Sequence, residues 1–129
     1  MLKPKSADLY RQLGLEAQVA EASPHRLISL LYSGAMSELK RAINCESQGQ
    51  RQARITAIAK CVDILNGLLE SLSFDVESDL PYRLESLYVY MIRRLLAVQV
   101  TFDEATCKEV QGLLEVLSDG WQQMAPAVE

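Results

Sequence analysis

Apolar side chains recur along most of this chain at alternating steps of three and four residues, the period of a helix with one packed face. The clearest run is Ile55, Ile58, Val62, Leu65, Leu69 and Leu72, which predicts a helix over about 51–73. Upstream, Ile28, Leu31, Ala35, Leu39 and Ala42 predict a helix from Pro24 to about Asn44, with Leu27 and Leu30 flanking the stripe. Downstream, Leu84, Leu87, Tyr88, Met91, Leu95 and Val98 predict a third helix reaching about Val100. Cys107, Val110, Leu113, Leu114, Leu117 and Trp121 predict a fourth, stopped by Pro126. No segment alternates with the period of a strand.

The punctuation between these runs agrees with them. Ser23 can cap the exposed N–H groups of the first helix, and Pro24 sits where a missing N–H costs nothing. The polar run 44–50 reads as a loop in which Gly49 can take a positive φ. Ser78 or Asp79 can cap the third helix, with Pro81 in its first turn. Thr101-Phe102-Asp103-Glu104 has the form of a capping box between the third and fourth. Ahead of them all, residues 6–21 carry Leu9, Tyr10, Leu13, Leu15 and Val19 at looser helical spacing, interrupted by Gly14. That segment reads as a marginal helix or an arm in need of a docking surface.

The economical architecture is all-α: an antiparallel up-and-down four-helix bundle with a short N-terminal helical arm. Residues 1–22 are assigned to the arm, 23–124 to the bundle and 125–129 to a tail, within a single domain. The pattern also contains more apolar surface than one core needs. Ala57, Cys61, Ile64 and Leu68 lie beside the main stripe of the second helix, and Tyr82, Tyr90, Ile92 and Leu96 widen that of the third. Such second stripes imply a central helix or a binding face.

Composition narrows the function. Apolar residues make up 49% and charged residues 23% of the 129, which argues for a folded chain. No apolar run is long enough to span a membrane, and no signal-peptide pattern opens the sequence, so the cytoplasm is the expected location. The net charge of −4 disfavours nucleic acid and anionic lipid as partners. Three dispersed cysteines, Cys45, Cys61 and Cys107, form no metal-ligand spacing, and Cys61 and Cys107 read as small buried hydrophobes.

Catalytic chemistry is sparse. His25 is the one histidine, and its place in the first turn reads as a capping-turn side chain. A diiron bundle would need Glu-x-x-His pairs on two helices, and no phosphate-binding glycine loop or zinc-protease motif is present. Glu70 with Asp75, and Glu104 with Glu109, read as ordinary surface carboxylates. No enzyme activity, no cofactor and no metal are expected.

Three segments in order resemble the flagellin export chaperone family (FliS). Ala22-Ser23-Pro24 leading to Leu27-Ile28, Leu30-Leu31-Tyr32 and Gly34-Ala35 is similar to its opening signature. Leu84-Glu85-Ser86-Leu87-Tyr88-Val89-Tyr90-Met91-Ile92-Arg93-Arg94-Leu95 resembles its L-x-x-L-Y-x-Y-M-x-x-R-L pattern. Glu109-Val110 through Trp121 resembles its closing segment, and Tyr10 has the family's spacing ahead of Ser23. The family's Gly-Gly turn before the third helix is replaced here by Ser78-Asp79-Leu80-Pro81. Arg83 stands where the family has Asn, and Val98-Gln99 where it has Ala-Asn.

The resemblance implies a cytosolic chaperone. It would bind the disordered C-terminal segment of flagellin, prevent premature polymerisation and deliver it to the flagellar type III export apparatus. A co-chaperone or regulator is a possible further partner, and a monomer or weak homodimer the expected state. On this reading the client covers the second stripes, Ile64 and Leu68 on the second helix and Tyr88, Ile92 and Leu96 on the third. The arm, with Tyr10 and Leu13, covers part of the same surface until the client arrives. Two alternatives remain at this point: a structural bundle that homodimerises through those stripes, and a small helical enzyme or regulator without recognisable chemistry.

Overall fold

Ser23 starts the first helix as its chemistry requires: its backbone is extended and its Oγ accepts a hydrogen bond from the Arg26 N–H (3.1 Å). In the computed structural model, residues 23–124 are described; the arm assigned to 1–22 and the tail assigned to 125–129 lie outside them. Helix α1 spans Pro24–Ser47, α2 Arg51–Glu70, α3 Leu80–Val100 and α4 Glu104–Gln123. No strand occurs among the described residues.

Each helix packs on its two neighbours in chain order, and α4 returns to α1, so the four close into an up-and-down bundle. The α1–α2 seam is the most extensive and the α3–α4 seam the thinnest. Small residues explain the first. Ala35 and Ala42 of α1 and Ala57 and Cys61 of α2 are all buried in the shared core, and a Cβ at Gly34 would stand 3.4 Å from Ile64 Cδ1. Close approach there lets Leu31, Leu39, Ile58, Ile64, Leu65 and Leu68 fill the centre with essentially no exposure. Each such side chain contributes about 1.5–3 kcal/mol by leaving water.

The connections are tight. Gly49 takes φ +72°, the left-handed conformation expected of it, and turns α1 into α2 in three residues. Ser78 Oγ accepts from the Leu80 N–H (3.1 Å) at the start of α3. The expected capping box at Thr101 is displaced by two residues. Thr101 instead ends α3, and Asp103 is the N-cap of α4, its carboxylate accepting from the Thr106 hydroxyl (2.6 Å). The hydroxyl of Thr106 holds that carboxyl below the usual range.

Buried polar ties also link the helices. The hydroxyls of Tyr32 on α1 and Tyr88 on α3 share a buried hydrogen bond of 2.6 Å. Near the opposite end, the guanidinium of Arg54 is buried beneath the Phe102 ring (5.3 Å to its centre) and donates to the Val98 carbonyl (3.3 Å). Its Nε lies 2.9 Å from Glu46 Oε1 without pointing its hydrogen at it, so that contact is coulombic.

Candidate functional site

The thin α3–α4 seam has two unlike halves. Toward the α3–α4 turn it is polar: Tyr90 donates to Glu109 (2.6 Å), and Arg94 donates to Glu109 (3.2 Å) and Thr106 (3.2 Å). The hydrogen bond from Tyr90, with help from Arg94, keeps the Glu109 carboxyl low, and the same bond raises the Tyr90 hydroxyl. This ladder is exposed, so each link contributes little to stability.

Toward the other end the seam opens into an apolar groove of about 210 Å³. Leu80 and Leu84 of α3 line one side, Val116, Leu117 and Gly120 of α4 the other, with Tyr32 as the floor and Trp121 and Met124 at the end. Leu80, Val116 and Met124 are 46%, 70% and 49% exposed, a large apolar fringe for side chains that α3 and α4 could have turned inward. The volume falls below that of sites for small molecules and cofactors, and suits one bulky side chain or two from a protein segment.

Trp121 is fixed by a reciprocal pair of bonds to the first turn of α1. Its Nε1–H donates to the His25 carbonyl (2.9 Å), and His25 Nε2–H donates to the Trp121 carbonyl (2.8 Å). The two rings stack with centres 4.9 Å apart and planes 13° from parallel. His25 is therefore engaged with α4 across the bundle end, where the sequence suggested only a capping-turn side chain.

The residues expected to meet a client are divided by the structure. Ile64, Leu68 and Tyr88 are buried in the core, where a partner could touch them only if the bundle opened. α2 packs against both α1 and α3, its second stripe is buried between them, and Tyr88 is held on Tyr32. Ile92 is half-buried against the core and Leu96 is 48% exposed, both accessible from outside. Tyr10 and Leu13 lie outside the described residues. Leu80, Val116, Gly120 and Met124 line the groove without having been singled out in the sequence. Val116 carried the available signal, an apolar residue out of phase with the buried stripe of α4.

Among the described residues no group of three metal-ligating side chains converges, and the thiols are buried. Burial raises Cys61 and pushes Cys107 up to about 11, which keeps both protonated and unreactive. No described helix is long and apolar enough to cross a membrane. Among the described residues the fold is a four-helix frame with an open apolar seam between α3 and α4.

Comparison with known proteins gives the particular family. The model of the family described as flagellar protein FliS matches residues 6–128. The flagellar secretion chaperone FliS of Salmonella typhimurium (strain LT2) is 39% identical over 118 residues, covering 91% of this chain and 87% of that protein. Flagellar secretion chaperone FliSB of Pseudomonas aeruginosa is 36% identical over 121 residues, 94% of this chain and 96% of that one. FliS of Escherichia coli (strain K12) is 32% identical over 124 residues, 95% and 91% respectively. The chain belongs to the FliS family, a family of chaperones and not of enzymes.

Proposed function

We propose that this protein binds the disordered C-terminal segment of flagellin in the cytosol, prevents its premature polymerisation and passes it to the flagellar type III export apparatus. The observation that carries this reading is the open apolar groove between α3 and α4, in a member of a family whose relatives are named flagellar secretion chaperones. Amphipathic segments bind such grooves by seating spaced apolar side chains while their polar faces stay wet. Ordering a disordered client consumes several kcal/mol of the interaction, which keeps the complex releasable.

Leu80, Leu84, Val116 and Trp121 form the proposed primary contact, and Ile92 and Leu96, accessible on the outer face of α3, are proposed as a separate contact for the same client. Tyr10 and Leu13 are proposed to compete with the client for apolar surface. Calorimetry against a peptide from the C-terminus of the host's flagellin, beside a scrambled control, tests binding directly. Val116→Asp and Leu80→Asp should each weaken that peptide by about tenfold or more with helical circular dichroism unchanged. Undiminished binding by both variants would remove the groove from the mechanism.

A further inference from the structure

The last turn of α4 has no basic residue to meet its free carbonyls, and its C-cap Met124 contributes only its own N–H, to the carbonyl of Trp121. The second donor to that carbonyl comes from 96 residues away, the Nε2–H of His25. In return the indole N–H satisfies the His25 carbonyl, and the imidazole covers one face of the indole. The same indole is the end wall of the α3–α4 groove, beside Leu84, Leu117 and the Tyr32 ring. A half-buried tryptophan at a fraying helix end would otherwise sample several rotamers, and a groove whose wall moves must order it each time an apolar side chain enters.

We infer that His25 is a positioning residue of this groove: its Nε2–H, bonded to the Trp121 carbonyl, fixes the indole wall and so sets how tightly the groove holds an apolar client side chain. The inference rests on the client-binding reading above. It assigns His25 no proton transfer and no contact with the client. What matters is a donor at the Nε2 position, and that can be isolated by substitution. Glutamine places its amide N–H near where imidazole Nε2 stood, asparagine reaches only the Nδ1 position, and phenylalanine keeps a stacking ring with no donor.

The three variants, His25→Gln, His25→Asn and His25→Phe, are titrated with the flagellin C-terminal peptide by calorimetry. Trp121 is the sole tryptophan, so acrylamide quenching of its fluorescence in the free protein reports the freedom of the wall. Asn and Phe should bind the peptide about tenfold more weakly than wild type and be quenched more readily. Gln should stay within about twofold on affinity and match wild-type quenching. Equal affinities for Asn and Gln, or wild-type affinity in Phe, would overturn the assignment. If Asn fails to fold, the comparison of Phe with Gln decides in the same way. Should wild type itself ignore the peptide, the proposed function is what has failed. The quenching series then judges the positioning role alone, and equal quenching in Phe and Gln overturns it.

Discussion

Removing the Tyr88 hydroxyl probes the deepest polar contact of the bundle. Tyr32 and Tyr88 are 3% and 2% exposed, and their hydroxyls have each other, at 2.6 Å, as hydrogen-bond partner. Burial raises both phenols, outweighing for Tyr32 the opposing influence of the shared bond, so neither ionises near neutral pH. Tyr88→Phe deletes one oxygen and leaves the Tyr32 hydroxyl buried without a partner. The lost bond is worth about 1 kcal/mol, and the stranded hydroxyl brings the expected cost to about 1–3 kcal/mol. Tyr32→Phe should cost a similar amount for the mirror reason.

The double variant separates this reasoning from simple loss of packing. With both oxygens gone nothing is stranded, so Tyr32→Phe/Tyr88→Phe should cost less than either single change, about 1 kcal/mol or below. For a chain of this size a kcal/mol corresponds to roughly 4 °C in melting temperature. Thermal and urea unfolding of the four proteins, followed by circular dichroism, complete the cycle. A double variant whose cost equals the sum of the singles would refute the account, because it would show two independent roles and no stranded hydroxyl. Tyr32 also floors the groove, and phenylalanine keeps its ring, so the double variant should still bind the flagellin peptide.

Other consequences are equally direct. Leu68→Asp should abolish cooperative unfolding, since a fully buried carboxylate costs more than the chain can absorb, whereas Leu96→Asp on the outer face of α3 should leave the melting temperature nearly unchanged; the reverse order would mean that the core has been misplaced. Glu38 buries Oε1 without a hydrogen bond, and Arg41 reaches no closer than 3.8 Å, so Glu38→Met should stabilise the protein by about 1 kcal/mol in urea unfolding, and a clear loss would show that the carboxylate has a partner in solution. Glu109 has a folded-state pKa below its ordinary value, so the stability it contributes is present above the ordinary carboxylate range and is lost as pH falls through the folded value. Wild type should therefore melt above Glu109→Gln at neutral pH, with the gap closing as pH falls below the ordinary carboxylate range; a gap that persists in acid would tie the effect to shape and not to charge.

The four helices were legible because every one carries a buried stripe at helical period and most have a stop signal in the right place. Ser23-Pro24, Gly49 and Pro81 each act through local backbone chemistry, and local chemistry survives folding. Thr101 misled for a related reason. A Thr-x-x-Glu box is a local competitor among several, and Asp103 lies nearer the first helical residue, with its carboxylate bonded to Thr106 and Arg94 close by. The groove was harder to read, because periodicity counts apolar residues without saying which neighbour consumes them. On α2 the stripe Ala57, Cys61, Ile64 and Leu68 looked surplus, yet all four are buried in the core, with Ile64 close against Gly34 of α1.

The surplus that remains in the folded molecule sits where two helices fail to close. Along the α3–α4 seam, Tyr90, Arg94 and Glu109 satisfy one another at the surface and leave the apolar half of the seam nothing to close upon. A sequence pattern reports the faces of single helices. A groove is a property of two of them together, and here it lies between a polar α3–α4 ladder on one side and Trp121, tied to α1 through His25, on the other. His25 was therefore undervalued for a physical reason, since its partner lies at the far end of the chain and no local signal announces it. The same geometry makes the seam the thinnest of the four and leaves Leu80, Val116 and Met124 exposed along it, the combination that the proposed holding and later release of an export client would use.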